Sequence, residues 1–383
     1  MRRFSSPMWL TFGVLASSGA HADAVLDWNE VALAEVSASG QLPPDGARTM
    51  AMVHVAVFDA VNAIDRRYEP VALKERGPGD ASIDAAVASA AYGVLAGLFP
   101  SRELALAKLY AAALAPIPNG PAKHAGIELG QHAASACLTL RAGDGTGAPN
   151  RYAPQTSAGV YVPTGLPIAS EWPDVKPWSM RSPSEFRPAP PPKLTSDVWA
   201  RDFAEVERLG AKESKERSAS QTETALFWSI TGPASWNPVV RSLASQPMST
   251  VERARLFALA NVAAMDSFVA VFDAKYEYAF WRPITAIRRA ELDGNAATEA
   301  APEWLPLIDT PLHPEYPCAH CISSAAVGAV LEAEFGTGEV PAISMTSAAV
   351  PGVVHRWTRI GDYVDEVSDA RILAGVHYRN SAD

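Results

Sequence analysis

The chain has 383 residues, 48% hydrophobic and 19% charged, with a formal net charge of −10, which allows one large domain or two ordinary ones with ample material for a core. That acidic balance argues against a nucleic-acid partner and requires any anion site to be a local concentration of cations. Three cysteines are too few for a disulfide scaffold; one bridge can form, with one thiol left over.

Arg2 and Arg3 precede an apolar run from Met8 to Ala16, and Ala20-His21-Ala22 places small residues at the −3 and −1 positions of a cut. This pattern predicts a signal peptide over residues 1–22, cleavage after Ala22 and export to the periplasm or medium. Removing Arg2 and Arg3 takes the charge from −10 to −12. The run is too short for a membrane span, and no later stretch reaches about 18 uninterrupted apolar residues, so no span is expected.

Residues 23–142 carry apolar residues at helical spacing punctuated by Pro43, Pro44, Pro70 and Pro100, which predicts about four helices and no strand. His54, Asp59 and Asn62 lie among Met, Val and Ala and are read as satisfied core polar groups. Residues 143–195 are rich in Pro and Gly without a periodic face, so an irregular excursion is expected. Tyr152, Tyr161, Trp172, Trp178 and Phe186 suggest that it packs across the bundle. Helical signals resume in residues 196–383: Ser196 caps a helix through Leu209, another runs from about Arg217 to Ile230, and a third from Thr250 towards Lys275. Asp266 and Asp273 share a face of the last; Asp273 either steers Lys275 or a guanidinium from elsewhere, or is a surface carboxylate.

Three stretches concentrate chemistry. In Lys275-Tyr-Glu-Tyr-Ala-Phe-Trp-Arg282-Pro283 the two cations are almost two helical turns apart, so on one helix they leave the same face about 10 Å apart and can converge on an anion. Pro283 biases Arg282 towards a helix end. A solvated basic face is the bland alternative; the aromatic neighbours Phe272, Tyr276, Phe280 and Trp281 argue against it. In His313-Pro-Glu-Tyr-Pro-Cys-Ala-His-Cys a small-residue helix is expected from about Ala319 to Phe335, its free N–H groups suited to a tetrahedral oxyanion and His320 in its first turn. There an imidazole moves protons on a bound anion, or serves only as a cap. In the third stretch Arg371 precedes His377 by six residues, so the pair converges if the helix bends near Gly375.

Lys-x6-Arg-Pro, Pro-x-x-His opening a helix and Arg-x5-His, in this order, resemble the three-part signature of the type 2 phosphatidic acid phosphatase and vanadium haloperoxidase superfamily. The words Ala-Met-Val-His-Val-Ala-Val-Phe-Asp-Ala-Val-Asn-Ala-Ile (Ala51 to Ile64), Phe-Trp-Arg-Pro-Ile-Thr-Ala-Ile-Arg, His-Pro-Glu-Tyr-Pro and Gly-Val-His-Tyr-Arg resemble its secreted, soluble haloperoxidase-like branch, from about Asp27 to the last residue. The resemblance implies an all-α helical bundle with a four-helix-bundle core. Lys275, Arg282 and Arg371, with Cys318 and Ala319, would bind phosphate or vanadate. His377 would be the vanadium ligand or the phosphorylated nucleophile, and His320 the group handling protons. Vanadate is the implied cofactor of a peroxidase, whose small-molecule substrates are hydrogen peroxide and halide. A metal-free acid phosphatase acting on a phosphate ester and a non-catalytic oxyanion binder are the alternatives.

Two positions depart from the family pattern. Cys318-Ala319 stands where Ser-Gly is usual, replacing a hydroxyl donor by a weaker thiol. Ser381 stands where many members carry the Asp that orients the histidine, leaving that task to the backbone, Glu315, Asp362 or Asp365. Cys318-x-x-Cys321 lacks the βαβ surroundings of a redox motif and the second pair of a zinc site, and in an oxidising compartment the two can form a bridge pinning the loop before His320. Six residues follow His377, fewer than two helical turns; the expectation is that the chain continues beyond Asp383.

Overall fold

The computed structural model describes residues 23–383, so the predicted signal peptide lies outside the described residues. The first part holds α1 (Ala24–Ser39), α2 (Pro43–Ile64), α3 (Ile83–Leu98), α4 (Glu103–Leu114) and α5 (Pro121–Leu140), five helices rather than four. Pro116, Pro118 and Gly120 cut a continuous apolar pattern in two, and Pro121 starts α5 at a position that needs no N–H donor. After the excursion come α6 (Asp197–Leu209), α7 (Ala219–Phe227), α8 (Asn237–Ala244), α9 (Thr250–Tyr278), α10 (Pro283–Arg288), α11 (Ala319–Phe335), α12 (Ile360–Leu373) and α13 (Arg379–Ala382). One antiparallel hairpin, β1 (Ile343–Thr346) with β2 (Val354–Trp357), interrupts the helices in the register Ile343 to Trp357. Among the described residues the fold is otherwise helical, with two isolated β-bridges.

Two long helices form the spine. α2 is buried over nearly its whole length and packs on α3, α5 and α9; α9 packs in turn on α11, and α11 on α12. Small residues set the spacing of α3 and α5: a Cβ on Gly130 would stand 2.4 Å from the Ala86 carbonyl oxygen, so only glycine permits that approach. α9 is long and apolar enough to cross a bilayer, yet 78% of its most apolar window is buried inside the protein, as in a core helix. Asp59 accepts from the backbone N–H groups of Val71, Ala72 and Leu73, and Asn62 from those of Arg67 and Tyr68, so both are satisfied core groups as expected. His54 is half so: Nε2 meets the Asn29 amide at 2.9 Å and Nδ1 has no partner.

The excursion over residues 143–195 has one short 3-10 turn and is clamped along α9. Asp266 accepts from Trp178 N–H (2.7 Å), Ser179 N–H (2.7 Å) and the Ser179 hydroxyl (2.6 Å). Asp273 takes both arms of Arg187 at 2.7 and 2.9 Å, the guanidinium from elsewhere that its position anticipated. Further along, Val160 forms a β-bridge with Phe280, two residues before Arg282. The irregular segment thus reaches the basic stretch directly.

Candidate oxyanion site

Lys275 stands in the last turn of α9 and Arg282 just before α10, so the two do not share a helix as their spacing predicts. α9 stops because Ala279 turns left-handed at φ 42, and Pro283 opens a new helix rather than ending the old one. What brings the cations together is the segment from His313 to Glu315. Lys275 Nζ donates to the carbonyls of Pro314 (2.9 Å) and Glu315 (2.8 Å). Arg282 Nε donates to the His313 carbonyl at 2.9 Å, and Nη2 to His313 Nδ1 at 2.9 Å. Both cations are fully buried. His313 is a member that the sequence reading assigned no role, although it heads the quoted His-Pro-Glu-Tyr-Pro.

Arg371 lies in the last turn of α12, which ends before Gly375 at φ 78; a Cβ there would stand 2.3 Å from the Gly210 carbonyl oxygen. The bend that the Arg371–His377 spacing requires is therefore present, and it drives His377 back into the cluster. Arg282 Nη1 donates to the Val376 carbonyl (2.8 Å) and lies 3.2 Å from His377 Nε2. A guanidinium has no acceptor, so Nε2 carries the lone pair and Nδ1 the proton. That proton points at Glu315 Oε1, 2.7 Å away, and the same oxygen takes the Tyr378 N–H at 3.1 Å. Glu315 thus stands in for the carboxylate missing at Ser381, whose hydroxyl is 3.3 Å from Nδ1; Asp362 and Asp365 are exposed and uninvolved. Arg371 Nη1 donates to the Trp228 carbonyl at 2.9 Å, while its Nε is buried without a partner.

His320 occupies the first turn of α11, which starts at Ala319 as predicted. Its Nε2 is 2.8 Å from the Ile230 carbonyl oxygen and so bears the proton, leaving Nδ1 as the basic atom. Ala319 sits at the first helical position, where the N–H has no acceptor within the helix. Cys318 does not fit the oxyanion role given to it. Its sulfur is bonded to Cys321, and its N–H donates to the Ser381 carbonyl at 3.0 Å, so no donor remains. The bridge pins the loop before His320, and the tail that braces His377 is tied to that loop through Ser381. Cys137 is the leftover thiol, buried.

Burial holds the Lys275 ammonium well below its usual pKa, with Arg282 adding to the effect and Glu315 opposing it. Burial also brings Arg282 down to about 10, and burial with the Arg282 charge brings Arg371 to about 9. Glu315 is pushed up to about 7 by burial, against the pull of Arg282 and Lys275. Desolvation and the neighbouring cations keep His313 and His377 well below the ordinary value and His320 at about 3, so all three are neutral at neutral pH. The chamber holds three cationic side chains against one carboxylate. Lys275 has used two of its three hydrogens, Arg282 Nη2 one of two, and Arg371 Nε none. Spare donors beside one imidazole lone pair are the complement of an oxyanion.

The family model of the VCPO second helical-bundle domain matches residues 255–383, the span that contains all of these groups. Vanadium chloroperoxidase of Curvularia inaequalis is 31% identical over 144 residues, a match spanning 30% of this chain and 23% of that protein's length. Among solved structures, a bacterial vanadium-dependent iodoperoxidase superposes with a TM-score of 0.77 at 22% identity, covering 94% of this chain and 91% of the other. An apo-type bacterial vanadium-dependent chloroperoxidase superposes with a TM-score of 0.68 at 17% identity, covering 89% of each. Those two likenesses establish the helical fold. With the domain match over residues 255–383, about a third of the chain, the comparisons support a relationship to the vanadium haloperoxidase superfamily.

Proposed function

We propose that the protein is an exported, vanadate-dependent haloperoxidase that oxidises halide with hydrogen peroxide at the chamber around His377. The observation that carries this reading is the set of three buried cations with unused donors beside the His377 Nε2 lone pair. An oxyanion offsets their desolvation, and the orphaned Arg371 Nε is the kind of donor its oxygens would satisfy. Lys275, Arg282 and Arg371 would hold the oxygens of bound vanadate, the Ala319 N–H would add a neutral donor, and His377 Nε2 would be the single protein ligand. When bound, vanadate supplies a Lewis-acid centre that activates peroxide towards halide.

The chain's own part is protonic and electrostatic. Glu315 fixes the His377 tautomer and raises the basicity of Nε2. His320 is neutral with Nδ1 free, its pKa lowered to about 3 by burial and by the Arg371, Lys275 and Arg282 charges. An anion that offsets those charges would restore the basicity needed to accept a proton from hydrogen peroxide. A metal-free acid phosphatase would need the same imidazole as a donor to the leaving group, and its burial and depressed pKa weigh against that use.

Purified protein should take up vanadate stoichiometrically and then turn over peroxide with bromide. His377→Ala should abolish both vanadate-dependent bromination and any phosphate-ester hydrolysis, because no ligand or nucleophile remains. His320→Ala should leave the anion bound and slow turnover by on the order of 10²- to 10⁴-fold. Wild-type bromination by His377→Ala in the presence of vanadate would refute the assignment.

A further inference from the structure

We propose that Tyr161, from the irregular excursion, is a further residue of the oxyanion chamber, its hydroxyl donating to the anion that Lys275 and Arg282 hold. The inference rests on the oxyanion reading above and extends it to a residue outside the 255–383 domain.

Tyr161 is placed by backbone pairing to the basic stretch itself. Its N–H donates to the Ala279 carbonyl at 2.7 Å, the Trp281 N–H donates to the Gly159 carbonyl at 3.0 Å, and Val160 bridges Phe280 between them. Arg282 is the next residue in that strand-like segment. Three tyrosines meet here, with the Tyr152 ring 5.7 Å from Tyr161 and 5.5 Å from Tyr276. Two have partners: Tyr152 Oη donates to the Tyr161 carbonyl at 3.0 Å, and Tyr276 Oη to the Ile168 carbonyl. The Tyr161 hydroxyl, on a fully buried side chain, has none.

An unpaired buried hydroxyl gives up its hydrogen bonds to water and gains none in return, so its persistence calls for an acceptor. The nearby charged groups cannot supply one, because guanidinium and ammonium only donate. The Arg282 charge is felt at the phenol, opposing the burial that pushes Tyr161 up to about 12, so the two groups are electrostatic neighbours. A hydroxyl lacking an acceptor and cations with donors to spare are satisfied together by one oxyanion. The added bond also replaces the neutral donor lost where the disulfide has consumed Cys318. Two other buried tyrosine hydroxyls lack partners, but Tyr363 packs among Trp228 and Trp357, and Tyr378 among Trp199 and Phe280 with Glu315 as its strongest charged neighbour.

The test is equilibrium binding of inorganic phosphate and of vanadate to wild type, Tyr161→Phe and, as a control whose hydroxyl feels none of the three cations, Tyr363→Phe. Loss of a hydrogen bond to a charged acceptor predicts roughly 10- to 100-fold weaker binding in Tyr161→Phe and no change in the control. The tyrosine ultraviolet difference spectrum produced by anion addition should shrink in the same variant. Unchanged affinity in Tyr161→Phe, with wild type binding normally, overturns the proposal and leaves the chamber intact. Wild type that binds neither anion overturns both this proposal and the oxyanion reading on which it stands.

Discussion

Glu315→Gln separates two things the chamber does. The carboxylate accepts the His377 Nδ1 proton at 2.7 Å and the Tyr378 N–H at 3.1 Å, and a glutamine oxygen can take both, so fold and tautomer should survive. What is lost is the negative charge behind the imidazole. A hydrogen bond to a charged group contributes about 1.5–3 kcal/mol and a neutral one about 0.5–1.5, so Nε2 should lose on the order of 1–1.5 kcal/mol of basicity, close to tenfold. Phosphate held by the cations alone should respond in the opposite sense, since the carboxylate that acts on Lys275 and Arg282 among the described residues has gone.

The assay is therefore a ratio: vanadate affinity over phosphate affinity, measured by equilibrium dialysis above the Glu315 pKa of about 7. The expected result is a ratio about tenfold below wild type, carried by vanadate, with phosphate unchanged or tighter. Equal losses for the two anions would mean that Glu315 acts only by holding the fold. No change in either would mean that His377 basicity does not matter to anion capture.

Titration without reductant should find no reactive thiol in the native protein and one per chain, Cys137, after unfolding; reduction should raise this to three, and a count of three without reductant would exclude the Cys318–Cys321 bridge. Asp266→Asn leaves one acceptor oxygen for three donors, which should cost about 1–3 kcal/mol and expose residues 143–195 to limited proteolysis; an unchanged melting temperature would refute the clamp. Stability should fall on acidification: His54 and His320, near 3 when folded against an ordinary 6.5, leave the unfolded chain binding more protons, worth about 1.4 kcal/mol per pH unit for each histidine. Glu315, raised from 4.5 to about 7, and Asp45, raised from 3.8 to about 6, act in the opposite sense, but against four depressed histidines once His313 and His377 are counted, so a urea midpoint that stays flat between pH 4.5 and 6.5 would contradict the balance.

Local signals in the sequence located helix ends well. Ser196 caps α6 by accepting the Trp199 N–H, and the small-residue helix begins at Ala319 and ends at Phe335 as its composition implied. Spacing rules failed where a break intervened: Lys275 and Arg282 fit one helical face only if Ala279 stays helical, and it does not. The β1–β2 hairpin escaped notice because its strands are four residues each, too short for alternation to stand out. Glu315 was one of several carboxylates able to replace the missing Asp, and only the fold selects it. Tyr161 and His313 depend on pairings between distant segments, which no local pattern encodes. The disulfide reverses the expectation for Cys318, since the bond consumes the thiol that was to replace a serine hydroxyl.

The donors of the cation cluster rest on neutral groups rather than on carboxylates. Lys275 leans on the Pro314 and Glu315 carbonyls, Arg282 on those of His313 and Val376, and Arg371 on that of Trp228, the C-cap of α7. Each carbonyl lies in a loop or at a helix end, where the backbone oxygen has no ladder partner. Such contacts orient the side chains and soften their desolvation, yet they neutralise no charge. Had each cation met its own carboxylate, the result would be a closed ion-pair network with nothing left for a ligand. Breaks at Ala279, Pro283 and Gly375 are thus what keeps the positive charge available, and they explain why all three basic motifs lie at helix termini rather than along helix faces.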